Sequence, residues 1–262
     1  MSWVVSGVSR APTLFQVAGT PSAAYSLRQL DLVDQAVVRV RRSSDNTESD
    51  FTATQVSNGS LASWVGAGNN GFVRTWYDQS GNGRHAVQTT TASQPQIISS
   101  GSLILENSKP TVEINGVVGL ATTFNIGLVW SIFLAGRNQQ SSDTRMLAGS
   151  TNCLMTFNRG SASFFSLSAS TISSTTSIPG TSLAVGTYLH GPTEARGFIN
   201  GSDRTASTAI GGQWNQFAIG PANGFTGETP NARYFEVIVY QSNLSSARTS
   251  IESNINTHYA IY

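Results

Sequence analysis

The chain is poor in cysteine, in lysine and in charge, and each shortage removes a class of protein. Cys153 is the sole cysteine among 262 residues, so no intramolecular disulfide can form and stability must come from packing. Lysine occurs once, at Lys109; charged residues make up 11% of the chain and the net charge is +1. A balance so near neutrality gives no electrostatic reason to expect nucleic acid as a partner. No stretch approaches the ~20 apolar residues of a membrane-spanning helix, so no membrane insertion is expected. The histidines, at 85, 190 and 258, are too scattered for a metal cluster, and no Ser-His-acid spacing is recognisable. The N-terminal "MSWVVSGVSRAPTLFQVAGTPS" has no long apolar core behind a basic start, which argues against an ordinary secretory signal.

What remains is rich in Ser, Thr, Asn, Gln and Gly. An uncharged hydrogen-bonding surface suits an extracellular or particle-borne β-protein better than a helical enzyme of the cytosol. A chain this long buries roughly 70–75% of its unfolded surface and can form one large all-β domain. "AVVRVRR" (36–42) sets Val38 and Val40 against Arg39 and Arg41, the alternation of a half-buried strand. "GFVRTWY" (71–77) is strand-like and "LASWVGAG" a helical turn. A series of short strands follows, from "PQII" and "PTVEI" through "WSIFLAGR", "RMLAG", "CLMTF", "SFFSLS", "TYLHG", "RGFI" and "QFAIG" to "YFEVIVY". Asn-Gly pairs at 115–116, 200–201 and 223–224 mark hairpins, because both residues tolerate positive φ. The Ser/Thr-rich stretch 168–182 reads as a loop or edge hairpin. In "SAAYSLRQL" (22–30), Ala23, Leu27 and Leu30 predict a short helix capped by Ser22. At the other end Ala247, Ile251, Ile255 and Tyr259 recur every four residues and predict a closing helix with one packed face. The expected organisation is an N-terminal arm or edge segment, 1–22, and a single β-sandwich, 23–262.

The stretch "TWYDQSGNGRHA" (75–86) gathers Asp78, Arg84 and His85 around a Gly-Asn-Gly turn. It reads as a strand end, with Trp76 and Tyr77 alternating and Asp78 and Gln79 bonding backbone groups. Gly81 and Gly83 supply positive φ, and Arg84 is placed to pair with Asp78. In "SSDNTESDF", Asp45, Glu48 and Asp50 are close enough to offer oxygen to calcium, but EF-hand spacing is absent. A solvated turn, with Asp45 or Asp50 pairing Arg41 or Arg42, is the favoured alternative. Aromatic faces beside amides and carboxylates are the chemistry of sugar binding. Trp214 with Gln213, Asn223, Phe225 and Glu228 offers that chemistry best; Trp76 is expected in the core and His258 in a structural role.

Together, "KPTVEINGVVGLAT", "WSIFLAGR", "GFINGSDRT" and "YFEVIVYQSNLSSARTSIESNINTHY" resemble the concanavalin A-like lectin/glucanase (laminin G-like) sandwich. "AAYSLRQL", "VVRVRRSSDNTESDF" and "VRTWYDQSGNGRHAVQTTTASQPQI" resemble the start of the catalytic domain of arabinofuranosidase B-type α-L-arabinofuranosidases. The resemblance implies an all-β antiparallel jelly roll with short peripheral helices and a C-terminal helix. It also implies a retaining mechanism, with a nucleophile Glu mid-domain on a strand before Asn-Gly and an acid/base Asp after a late Gly-rich strand end. The matching "NCLMTFNRGSASFF" holds no acid, and none occurs from Thr144 to Thr193. In "FAIGPANGFTGE" the second position is Ala222. The family's cysteine pairs are absent too. Glu228, Asp203, Glu113 and Glu236 are the acids left to substitute.

Stand-alone domains with this signature resemble phage virion proteins. The expectation is therefore a non-catalytic virion component, a head decoration, fibre or tail appendage that also contacts glycans. Its partners would be other virion proteins, copies of itself in a homo-oligomer and cell-surface polysaccharide, with no cofactor. The alternative is an α-L-arabinofuranosidase-like glycoside hydrolase.

Overall fold

A computed structural model describes residues 12–116, 119–122, 124–139, 144–148, 154–157, 163–167, 170–173, 182–205, 217–221 and 231–262. The strands are β1 (Ala23–Ser26), β2 (Ala36–Arg42), β3 (Glu48–Thr52), β4 (Gly71–Trp76), β5 (Ala86–Val87), β6 (Gln96–Ser99), β7 (Val112–Asn115), β8 (Leu120–Thr122) and β9 (Trp130–Asn138). They continue as β10 (Thr144–Ala148), β11 (Leu154–Phe157), β12 (Ser163–Leu167), β13 (Ser170–Ser173), β14 (Ala184–His190), β15 (Ala195–Ile199), β16 (Phe217–Ile219) and β17 (Asn231–Tyr240). Four α-helices accompany them among the described residues: α1 (Leu14–Ala18), α2 (Ala53–Ser57), α3 (Ser60–Val65) and α4 (Arg248–Tyr259). None is long and apolar enough to cross a membrane.

Every labelled pairing is antiparallel. One layer runs β3–β2–β4–β6–β7–β17–β9–β14–β15, with β1 continuing the line of β7 along β17. The other runs β5–β8–β16–β10–β11–β12–β13 and joins the first where β5 pairs with β4. Val40, Val73, Trp76, Val112, Ile132, Tyr188 and Tyr234 of the first layer meet Leu120, Met146, Phe217 and Ile219 of the second in one apolar core. This is the all-β sandwich that the strand spacing predicts. Trp76 is fully buried in it, as expected.

Period-two alternation sends the intervening residues outward. Over one half of the first layer these are Ala24, Phe133, Ala135, Phe235 and Ile238, and α4 covers them with Ile251, Ile255 and Tyr259. The predicted closing helix is thus present, and its four-residue period is the stripe that packs. At Asn200–Gly201 the expected tight turn forms with φ of 49° and 76°, linking β15 to the residues 202–203 that pair back on it.

Two readings of the N-terminal region are corrected. Residues 23–26 form a strand, not a helix: each of Ala23, Ala24, Tyr25 and Ser26 is buried and pairs with Val239, Ile238, Val237 and Glu236 respectively. Partnership with β17 overrides a helical spacing that rested on three residues. Within the proposed arm, Leu14–Ala18 is a helix closed by a Thr13–Gln16 capping box, and Leu14 is buried against the α4 side of the sheet. Residues 1–11 of the proposed arm lie outside the described residues.

Candidate functional site

Beside the region covered by α4, the outer face of the first layer carries polar side chains. Cross-strand register places Arg41 opposite Phe72, Phe72 opposite Gln96, Gln96 opposite Glu113, Glu113 opposite Arg233 and Arg233 opposite Arg137. Residues directly opposite in antiparallel strands share a face, so six strands align one row. Their chain neighbours Val40, Val73, Ile97, Val112 and Tyr234 point into the core.

The middle of the row opens into a cleft of about 210 Å3 lined by Phe72, Thr91, Gln94, Gln96, Glu113 and Asn115. At one end Arg41 lies over the Phe72 ring, 4.8 Å from its centroid, and donates from Nε to Gln94 Oε1 at 2.7 Å. Gln94 in turn donates to the Gln88 carbonyl, which fixes its amide. Gln96 uses Nε2 on the Ile98 carbonyl at 2.8 Å, which leaves its carbonyl oxygen for a ligand. At the other end Arg233 donates from Nε to Glu113 Oε2 at 2.8 Å and from Nη1 to Glu106 Oε1. Arg137 Nη1 reaches the other Glu106 oxygen at 3.1 Å. Two carboxylates therefore meet on one guanidinium. Burial opposes the Arg233 charge, but the hydrogen bonds it donates to Glu113 and Glu106 outweigh that and raise its pKa. A carboxylate held by arginine is oriented to accept hydrogen bonds from hydroxyls.

Of the acids considered as substitutes, Glu113 alone among the described residues lines this cleft. Glu236 does not reach it. A β-bulge opposes Ala135 to Glu236 but Gly136 to Tyr234, so Phe235 and Glu236 both turn toward α4. There Glu236 is fully buried, bound by Arg28, by Ser26 Oγ at 2.9 Å and by Tyr259 OH at 3.0 Å. Asp203 pairs with Arg196 at the surface. Trp214, Gln213, Asn223, Phe225 and Glu228 lie outside the described residues.

Asp78 anchors a turn through its hydrogen bonds. Asp78 accepts four hydrogen bonds, from Ala24 N, Ser80 N, Ser80 Oγ and Arg84 N. Gln79 accepts from Leu30 N and donates to the Ser26 and Arg28 carbonyls. Gly81 and Gly83 adopt φ of 84° and 69°. The Arg84 guanidinium, expected on Asp78, goes instead to the Ser22 carbonyl, Gln241 and the Phe124 ring, since its backbone N–H already serves the carboxylate. In the Asp45 segment each acid takes its own arginine: Asp45 with Arg42, Glu48 with Arg74 and Asp50 with Arg39. Among the described residues no group of three or more His, Cys, Asp or Glu is placed to hold a metal.

Glu106, Gln96, Asn115 and Arg233 were not singled out from the sequence. Alternation in "PTVEIN" and "NARYF" puts Glu113, Asn115 and Arg233 on outer faces; their meeting depends on which strands are neighbours.

The sandwich fold is shared with solved glycosidases. A GH54 α-L-arabinofuranosidase soaked with a cyclic sulfate inhibitor matches with a TM-score of 0.63 at 14% identity, over 90% of this chain and 62% of its own. An arabinofuranosidase complexed with arabinofuranosyl-α-1,2-xylobiose matches with a TM-score of 0.63 at 14% identity, over 92% of this chain and 64% of its own. Trypanosoma rangeli sialidase in complex with sialic acid matches with a TM-score of 0.52 at 12% identity, over 70% of this chain and 31% of its own. This chain thus spans less than two thirds of the length of either arabinofuranosidase. No family model and no curated protein matches the sequence. The likeness is one of fold, and the fold is the β-sandwich of these glycoside hydrolases. This corrects the ground for expecting a non-catalytic module, which rested on two missing acids: the solved structures named above that share the fold are enzymes. None of them is a virion protein.

Proposed function

We propose that this chain is a glycoside hydrolase of the α-L-arabinofuranosidase type, the alternative that the sequence left open. The observation that carries the reading is the Glu113 cleft on a sandwich of glycosidase architecture. Gln96, Asn115 and Glu113 offer planar polar groups to ring hydroxyls, and Phe72 offers an apolar edge. Glu113 is oriented by Arg233, and Glu106 is the second carboxylate at the same guanidinium. A retaining pair requires carboxyl groups ~5–5.5 Å apart, one attacking and one passing a proton to the leaving group.

The test is release of 4-nitrophenol from 4-nitrophenyl α-L-arabinofuranoside. Glu113→Gln is expected to lower kcat by at least about 100-fold, the scale of a lost catalytic group. Retention of full activity in that variant, with loss in Glu228→Gln, would keep the hydrolase and move its site. No release from arabinofuranosides or from pyranosides by the folded protein would sink the reading.

A further inference from the structure

A second cavity lies away from the cleft, between α1 and α4. It measures about 900 Å3 and its lining includes Thr13, Arg28, Ser253, Asn254, Thr257 and His258. Along α4, positions 249, 250, 253, 254 and 257 recur at helical spacing beside the packed stripe of Ile251, Ile255 and Tyr259. All five are Ser, Thr or Asn. An exposed helix face usually mixes charges of both signs; this one offers only neutral donors and acceptors.

Arg28 forms the floor. Its side chain is 14% exposed, and Nε and Nη2 are spent on Glu236 and Asn254. Arg28 lines the cavity, and Nη1 makes no hydrogen bond among the described residues. His258 borders this cavity and a neighbouring one of about 300 Å3. It likewise has no hydrogen bond among the described residues. Burial, then Arg28 and Lys109, hold its pKa down to about 4 against the pull of Glu236, so near neutrality the ring has one donor and one acceptor. Because Glu236 balances Arg28, the floor has no net charge to attract an anion.

We propose that this cavity is a saccharide-binding site for a neutral sugar residue, separate from the Glu113 cleft and independent of whether that cleft is catalytic. Arg28 Nη1 donates to one ring hydroxyl, His258 exchanges a hydrogen bond with a second, and Ser253, Asn254 and Thr257 serve the rest. The missing aromatic platform favours hydroxyl-dense rings over apolar sugar faces.

The site is tested by titrating the full chain, isotopically labelled, with L-arabinose, D-xylose, D-galactose and D-glucuronate while following backbone amide shifts. At least one neutral sugar is expected to give saturable shifts across 249–258 at millimolar concentration, and D-glucuronate weaker ones. Ser253→Trp, which fills the cavity from an exposed position, should weaken binding more than about tenfold, and Thr257→Leu provides a milder second blockade. Glu113→Gln should leave these shifts unchanged, which separates this site from the cleft. Absence of shifts with every neutral sugar, tighter binding of glucuronate, or undiminished binding in both folded blocking variants would overturn the proposal.

Discussion

Glu236 and Arg28 form a two-point ion pair, Nε to Oε2 at 2.8 Å and Nη2 to Oε1 at 3.0 Å, with the carboxylate sealed from solvent between the first sheet and α4. Burial acts against the Arg28 charge, and Glu236 more than compensates, so its pKa rises. A pair of this kind adds little over a well-packed apolar substitute, but losing one member strands the other. Glu236→Ala is therefore expected to destabilise the fold by ~3–5 kcal/mol. Arg28→Met with Glu236→Leu should cost clearly less than the two single changes added together, by an interaction term of ~0.5–3 kcal/mol. Urea unfolding followed by tryptophan fluorescence measures the wild type and the four variants. Additive single effects would show that the two residues act separately.

His258 gives the fold a defined acid sensitivity. Its ring is surrounded by Arg28, Lys109, Glu236 and Tyr259, and its pKa is lowered to about 4 from an ordinary value of 6.5, by burial first and by the two cations next. Between these values the unfolded chain binds the proton that the folded chain refuses. The contribution is thus fully present above pH 6.5, falls as the pH drops through the window, and is exhausted near pH 4. Thermal midpoints are expected to decline from pH 7 to pH 4, and His258→Gln should flatten that slope. An unchanged slope would place the acid sensitivity elsewhere.

Much of this was readable from residue order, and the parts that were not have a common cause. The strands, the Asn200–Gly201 turn, the α4 stripe and the Asp78 corner each depend on neighbours within a few positions. Local alternation and turn chemistry were enough to find them. The strand at Ala23–Ser26 was misread because its partner, β17, lies more than 200 residues away. The polar row has the same origin. Arg41, Phe72, Gln96, Glu113, Arg233 and Arg137 sit on six strands whose order no local pattern encodes. Glu236 shows a third case: a bulge shifts its face by one residue, so simple alternation through "YFEVIVY" misassigns it. The non-catalytic expectation came from position-by-position comparison with a family motif. That procedure registers missing acids at two sites and is blind to carboxylates gathered from other strands.

Gly136 makes the bulge achievable, and its replacement is expected to show what the bulge does. A Cβ at this position would lie 2.5 Å from the Arg233 carbonyl oxygen, a backbone atom that cannot swing aside. Gly136→Ala must therefore push β9 away from β17 at the point where the register shifts. The cost is expected to be ~1–3 kcal/mol, typical of overpacking a tight interior. Two further effects follow from position. Arg137, the next residue, should lose its hydrogen bond to Glu106, and Glu236 should turn partly out of its seat against Arg28. The second effect predicts that Gly136→Ala and Glu236→Ala combine to less than the sum of their separate costs, because the first has already loosened what the second removes. Urea unfolding of the two single variants and the double variant decides it: strict additivity would mean that the bulge and the buried carboxylate are independent.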